Sequence, residues 1–218
     1  MKLGIVICTY ERANLLAQCQ LSILCADKPD NHDIVFVDDH SMSPEVLSLL
    51  NTHDYSTMFK DENKGIHDSI ERGFNYMFNT CGCDVVMNLD SDAIIKKNGI
   101  IKLLELHDKF PDTIVSGFNT LARDVNTHKE RHPITESFDN YVTKKSIGGV
   151  NMMMNKEIFD TYVLPELHSY NWDWRVCKRM QKDNNLFIVS SPSVVQHLGI
   201  KSAIGGIHNL NPDIADDF

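Results

Sequence analysis

The sequence predicts an α/β fold, a central sheet flanked by helices, and three observations lead there. Short apolar runs at residues 3–8, 34–37 and 85–89 alternate with segments of helical periodicity. The composition, 42% hydrophobic and 23% charged, is that of a globular chain. At 218 residues the chain is long enough to bury a full core within one domain.

The elements follow in order. Residues 3–8 form a buried strand, and residues 13–26 a helix. The second strand is 34–37. A short helix over 44–50 is opened by Ser43 as N-cap and by Pro44, whose fixed φ suits the first turn. Residues 55–59 are a weaker third strand. Ile66, Ile70, Phe74, Met77 and Phe78 then fall on one stripe of a helix, at the spacing of a core-facing surface. Residues 85–89 are the fourth strand, and 100–110 another amphipathic helix.

Beyond this the rhythm changes. Residues 113–118 read as a strand, and 119–141 as a long polar, irregular loop, of a length that usually carries function. Its basic residues (Arg123, Lys129, Arg131) are nearly matched by acids, which argues against a nucleic-acid patch. Gly148 and Gly149 run into a strand ending at Met154. Residues 155–162 and 172–182 are helices, 186–190 and 194–197 two late strands, and the tail ends in the acidic stretch 213–218. There is no internal repeat.

Charge and composition exclude several classes. A formal net charge of -9 disfavours non-specific binding to nucleic acid or to an anionic membrane. A phosphate-bearing ligand therefore needs local help from a metal, helix N-termini or a few Lys and Arg. The apolar run at the start is too short for a signal peptide, and no run of 18 apolar residues occurs, so no transmembrane segment is expected. Of six cysteines, Cys8, Cys19 and Cys177 lie in apolar contexts as small core residues. Cys81 and Cys83 lack a second pair that would complete a zinc site. Free thiols without a leader point to a reducing, cytoplasmic setting.

In an open α/β sheet, ligands bind beyond the carboxyl ends of the strands. After the first predicted strand stands Thr9-Tyr10-Glu11-Arg12, which lacks the Gly-x-Gly-x-x-Gly of a dinucleotide site. After the second comes Asp38-Asp39-His40-Ser41, and after the third Glu62-Asn63-Lys64-Gly65. The fourth is followed by Asp90-Ser91-Asp92, whose carboxylates would lie on one side of an extended segment, roughly 6–7 Å apart. Two hard oxygen donors so placed can hold a divalent cation, and the cation a diphosphate. On its own the motif reads equally as a solvated acidic turn. Tyr10 can stack on a nucleobase, and Asp38 or Asp39 can accept from a base N–H, as uracil offers. Lys64 lies near a helix start, where backbone N–H groups suit phosphate.

These segments, in this order, resemble the family-2-type nucleotide-sugar glycosyltransferases of the GT-A fold. Gly148-Gly149, Trp172-Asp173-Trp174-Arg175 and Val195-Gln196-His197-Leu198-Gly199 complete the set, which covers nearly the whole chain. The resemblance implies a mixed, mostly parallel sheet with the D-x-D after the fourth strand. It also implies one domain, 1–218, with a nucleotide-binding half (1–98) and an acceptor-binding half with the tail (99–218). It places Thr9, Tyr10 and Asp39 at the base, Asp38 beside them, and Arg12, Asn63, Lys64 and Gly65 among the donor-binding residues. Asp92 would be the direct metal ligand. Asp90, with Ser91, would lie toward the ribose or donor sugar and near the metal. His197 would complete the site for Mn²⁺ or Mg²⁺, an imidazole suiting Mn²⁺ better. Lys201 would reach the diphosphate, and Gly149 would allow close approach to a sugar. Asp173 falls at the catalytic base of inverting members, flanked by Trp172 and Trp174, whose faces suit an acceptor sugar.

The partners so implied are a nucleotide-sugar donor, with UDP preferred, and a glycan acceptor. The chain departs from the family pattern at Tyr170-Asn171-Trp172-Asp173, with one acid where a pair is common. It departs again at Ile70 and Glu71, where Arg-Asn is common. Retaining GT-A enzymes share the D-x-D, so a retaining transferase and a catalytically silent nucleotide-sugar- or glycan-binding domain remain alternatives. A nucleotidyltransferase would show a Gly-rich phosphate loop after the first strand. A phosphatase using D-x-D would carry it there too.

Overall fold

Alternation along the first strand sets the layers. In β1 (Leu3–Thr9), Leu3, Ile5 and Ile7 point to one core, Val6 and Cys8 to another. Every residue of β1 is buried, as expected of a strand covered on both faces. The structure, a computed structural model, describes residues 1–121, 127, 129–199, 214, 215, 217 and 218.

α1 (Ala13–Cys25) leads to β2 (His32–Asp38), α2 (Pro44–Asn51) and β3 (Ser56–Phe59). Ser43 caps α2 as its sequence predicts, accepting from Val46 N at 3.3 Å, a contact worth about 1 kcal/mol. α3 (Ile66–Asn75) continues into a π-helical turn, Tyr76–Thr80, which carries Met77 and Phe78 into the same core as Phe74. β4 (Val85–Asp90), β5 (Ala93–Ile95), α4 (Gly99–Lys109) and β6 (Val115–Ser116) follow. Then come β7 (Ile134–Ser137), β8 (Tyr141–Lys144), β9 (Asn151–Asn155), α5 (Lys156–Ile158), α6 (Trp172–Lys182), β10 (Phe187–Ser190) and β11 (Val195–His197).

The described strands make a mixed nine-stranded sheet in the order β3-β2-β1-β4-β9-β6-β10-β8-β7, with β11 and β5 as a separate antiparallel pair. β1, β2, β3 and β4 run parallel; β9 lies antiparallel to β4. α1, α2 and α4 cover one face, α3 and α6 the other.

Three expectations need correction. The region 119–141 is not all loop: β7 pairs with β8 at the edge of the sheet. β7 reads as polar because three of its four residues are exposed, as an edge strand requires. The predicted helix over 155–162 is a single α turn followed by a π turn (Phe159–Val163) and a 3₁₀ turn (Leu164–Glu166), where Pro165 ends it. The strand at 113–118 shrinks to Val115–Ser116, because the Gly117 amide donates instead to the side chain of Asn151. Among the described residues no helix is long and apolar enough to cross a membrane.

Candidate active site

The chain runs outward from β1 through β2 to β3, then returns to place β4 on the other side of β1. That reversal opens a crevice beyond the carboxyl ends of β1 and β4, where ligands of such sheets bind. Glu11 and Arg12, directly after β1, both adopt left-handed backbone, with φ of 53° and 59°. The turn sends the Arg12 guanidinium across the crevice, where Nη1 lies 2.8 Å from Asp92 Oδ2.

Asp90 is the last residue of β4, and Ser91 and Asp92 form a turn into β5. The segment is thus not extended through Asp92, as the alternation argument had it. His197 Nε2 approaches the same Asp92 oxygen at 3.2 Å. β11 brings it there: His197 pairs with Ala93, and Leu198 N donates to Asp92 O at 2.7 Å. The Phe118 ring packs edge-on to the imidazole. Gly199 completes the wall, since a Cβ there would collide with Asp92 Oδ2.

Burial, reinforced by the Asp92 carboxylate, pushes Asp90 up to about 8. Burial also opposes ionisation of Asp92, but the hydrogen bond from His197 and the Arg12 cation override it and hold Asp92 below the usual carboxylate range. The described residues contain no group of three or more His, Cys, Asp or Glu posed to hold a metal. Asp92 and His197 nonetheless fit a divalent ion. One carboxylate and one imidazole suit Mn²⁺, and such ions commonly complete their shell with substrate phosphate and water.

The neighbouring cluster is built on the end of β2. Both oxygens of the buried Asp38 are taken by Ser41, from its amide (2.9 Å) and hydroxyl (2.6 Å), so Asp38 supports the turn. Asp39 accepts from Lys60 Nζ, from Lys64 N (2.9 Å) and from Gly65 N (2.7 Å). This corrects the expectation that these amides are open to phosphate. The Lys64 ammonium, in turn, pairs with Glu62 at 2.9 Å. Thr9 Oγ1 is buried with no hydrogen-bond partner among the described residues, while the Thr9 carbonyl accepts from Asp39 N at 2.9 Å. Tyr10 is half-buried after β1, and Asn63 is exposed.

Asp173 opens α6, where its Oδ1 accepts from Trp174 N at 2.8 Å. It lies near enough to Asp90 to add slightly to the upward shift of that carboxyl. The two tryptophans part company. Trp172 is buried beneath Gly149, where a Cβ would come within 2.8 Å of its ring, so the glycine lets the backbone lie close against Trp172. Trp174 is half-buried and stacks on His132 at 4.8 Å. Ser91 is buried in the turn. Lys201 lies outside the described residues.

Sequence reasoning passed over Lys60, Asn88 and Asn151. Lys60 is buried between Asp39 and Asp68, the latter at 2.8 Å. Asn88 donates to Gly149 O (2.7 Å) and accepts from Met152 N (3.0 Å), while Asn151 donates to Asn88 O (2.7 Å). The signal was present: an Asn inside Val85-Val86-Met87-Asn88-Leu89 is a polar residue in a buried strand and must have a partner.

Comparison with known proteins bears on this arrangement. The sequence model of Glycosyl transferase family 2 matches residues 4–163. No curated protein matches by sequence. Among solved structures, GalNAc-T7 with UDP, GalNAc and Mn²⁺ superimposes with a TM-score of 0.70 at 12% identity, over 90% of this chain and 44% of that one. Residues 1–349 of S. aureus TarS superimpose with a TM-score of 0.62 at 17% identity, over 89% of this chain and 59% of that one. The same TarS fragment in complex with UDP gives 0.62 at 18% identity. These likenesses are of fold, and the chain spans less than two thirds of each of them.

Proposed function

Since the chain belongs to glycosyl transferase family 2 and has the GT-A architecture, we propose that it moves a sugar from a nucleoside-diphosphate sugar to a hydroxyl of a glycan acceptor. The observation that carries this reading is the convergence of Arg12 and His197 on Asp92 Oδ2 at the mouth of the switch-point crevice. UDP is the proposed nucleotide. The orphan Thr9 hydroxyl at the end of β1, whose carbonyl binds the Asp39 amide, supports a base site at these strand ends, and GalNAc-T7 and one of the TarS structures are UDP complexes. Residues 1–98 would then hold the nucleotide and 99–218 the acceptor, in a cytoplasmic setting consistent with six free cysteines.

In this reading Asp92 and His197 hold Mn²⁺ or Mg²⁺, with Asp90 beside them. Bound there, the cation would supply Lewis-acid stabilisation of the departing diphosphate. Arg12, reaching the same point, adds positive charge where the departing diphosphate gains negative charge. Asp173 takes the proton from the acceptor hydroxyl as that oxygen attacks the anomeric carbon and the bond to the diphosphate breaks, with inversion. The half-buried Trp174 is left to border the acceptor.

Purified protein with Mn²⁺ and a panel of nucleotide sugars tests this. Release of one nucleoside diphosphate, lost in Asp92→Ala and in Asp173→Asn, is the expected result. Donor binding without hydrolysis or transfer across the panel would assign a silent binding domain instead.

A further inference from the structure

The metal reading depends on His197, yet β11, which carries it, is three residues long and pairs with β5 along one edge only. Its other edge is closed by a segment distant in sequence. Gln196 Nε2 donates to Ala215 O at 3.1 Å, and Gln196 Oε1 accepts from Ala215 N at 2.8 Å. The side-chain amide thus makes the paired bonds that a neighbouring strand would make. The same Oε1 also accepts from His197 N at 3.0 Å, so one atom joins Ala215 to the backbone of His197.

A second anchor lies two residues upstream of β11. Asp217 accepts from Ser193 N (3.1 Å), Ser193 Oγ, Ser191 Oγ (3.3 Å) and Asn119 Nδ2 (3.1 Å). Four donors on one carboxylate make a strong, charge-assisted fixture. Ala215 further bridges to Thr120, and Lys96 Nζ sits 4.6 Å over the Phe218 ring. Both ends of the short strand are therefore tied to the same few residues.

We infer that Gln196 and Asp217 are positioning residues for the His197 imidazole, the segment that carries Ala215 and Asp217 acting as a brace that sets His197 against Asp92. The inference rests on the metal-dependent reading of the site. A three-residue strand held on one edge would let the ring drift. Outer groups that orient a ligand typically govern metal affinity by 10–100-fold.

Mn²⁺ affinity, read by electron paramagnetic resonance on folded protein below its melting onset, tests the brace. Asp217→Ala and Gln196→Ala are expected to weaken Mn²⁺ binding tenfold or more, with Asp217→Asn intermediate. Gly73→Ala, which strains the distant α3–β1 contact, should lower stability and leave Mn²⁺ affinity unchanged. Folded Asp217→Ala and Gln196→Ala proteins that bind Mn²⁺ within twofold of wild type would overturn the inference, as would equal weakening in Gly73→Ala. Failure of the wild type itself to bind Mn²⁺ would instead overturn the metal reading, and the brace with it.

Discussion

Arg12 Nη1 and Asp92 Oδ2, 80 residues apart in sequence, stand 2.8 Å apart in the crevice beyond the carboxyl ends of β1 and β4. Asp92 is nearly buried, so its charge needs a partner whether or not a divalent ion is bound.

Removing Arg12 exposes that need. Arg12→Gln leaves His197 as the nearest partner of Asp92 and should cost the metal-free protein about 1–2 kcal/mol, roughly 4 °C in Tm for a chain of this size. A cation held at Asp92 restores the balance, so Mn²⁺ should raise the Tm of the variant by more than that of wild type. Thermal melts with and without Mn²⁺ check this. An unchanged metal-free Tm would mean that the ion pair is slack.

Lys60 faces the opposite problem, a single cation buried between two carboxylates. Lys60→Met keeps the side-chain volume but leaves Asp39 and Asp68 facing each other, and should cost about 3 kcal/mol in urea unfolding. The loss should reach the nucleotide, because Asp39 holds the amides of Lys64 and Gly65. Donor KM is expected to rise more than kcat falls; the reverse split would place Lys60 elsewhere in the chemistry.

Two glycines separate packing from freedom. A Cβ at Gly73 would drive into Val6 Cγ1 where α3 crosses β1, whereas Gly148 has open space around it. Gly73→Ala should therefore lose about 1–2 kcal/mol despite the better helix propensity of Ala. Gly148→Ala should stay within about 0.5 kcal/mol of wild type. Chemical denaturation of both proteins side by side decides it.

The apolar runs made the parallel half of this fold legible, because strands buried on both faces must be written in continuous hydrophobic residues. The β7–β8 hairpin was not, since an edge strand with exposed polar side chains looks like a loop. The site divided in the same way. Asp92 and Arg12 follow strands written in apolar runs, whereas His197 is placed by the family resemblance, because β5, the three-residue strand that pairs with β11, carries too little pattern to read. The side-chain bonds of Asp38 and Asp39 turn instead on local loop geometry, to which spacing along the chain is blind. Trp172 and Trp174 share a helix turn and differ in fate because one is set beneath a glycine in the turn before β9.

His107 offers a test by pH. It is buried in α4, and neither ring nitrogen has a hydrogen-bond partner among the described residues. Burial lowers its pKa, against a weaker opposite pull from Asp108; burial lowers His53 and His67 too. A histidine whose folded pKa lies below the unfolded value of about 6.5 resists the proton that the unfolded chain accepts. Above that value it adds no pH dependence. As pH falls below it, the unfolded state binds more protons and stability drains away, until pH passes below the folded pKa. Asp90 is shifted in the opposite sense, its pKa raised, so its contribution falls as pH rises; it is common to both proteins compared and cancels in the difference. His107→Leu removes the titrating ring and its unmet nitrogens while filling the same core. It should match or exceed wild-type stability at pH 7.5 and lose less between pH 7.5 and pH 5.5, as read by urea midpoints at both values. Parallel losses in the two proteins would show that His107 takes up its proton as readily folded as unfolded.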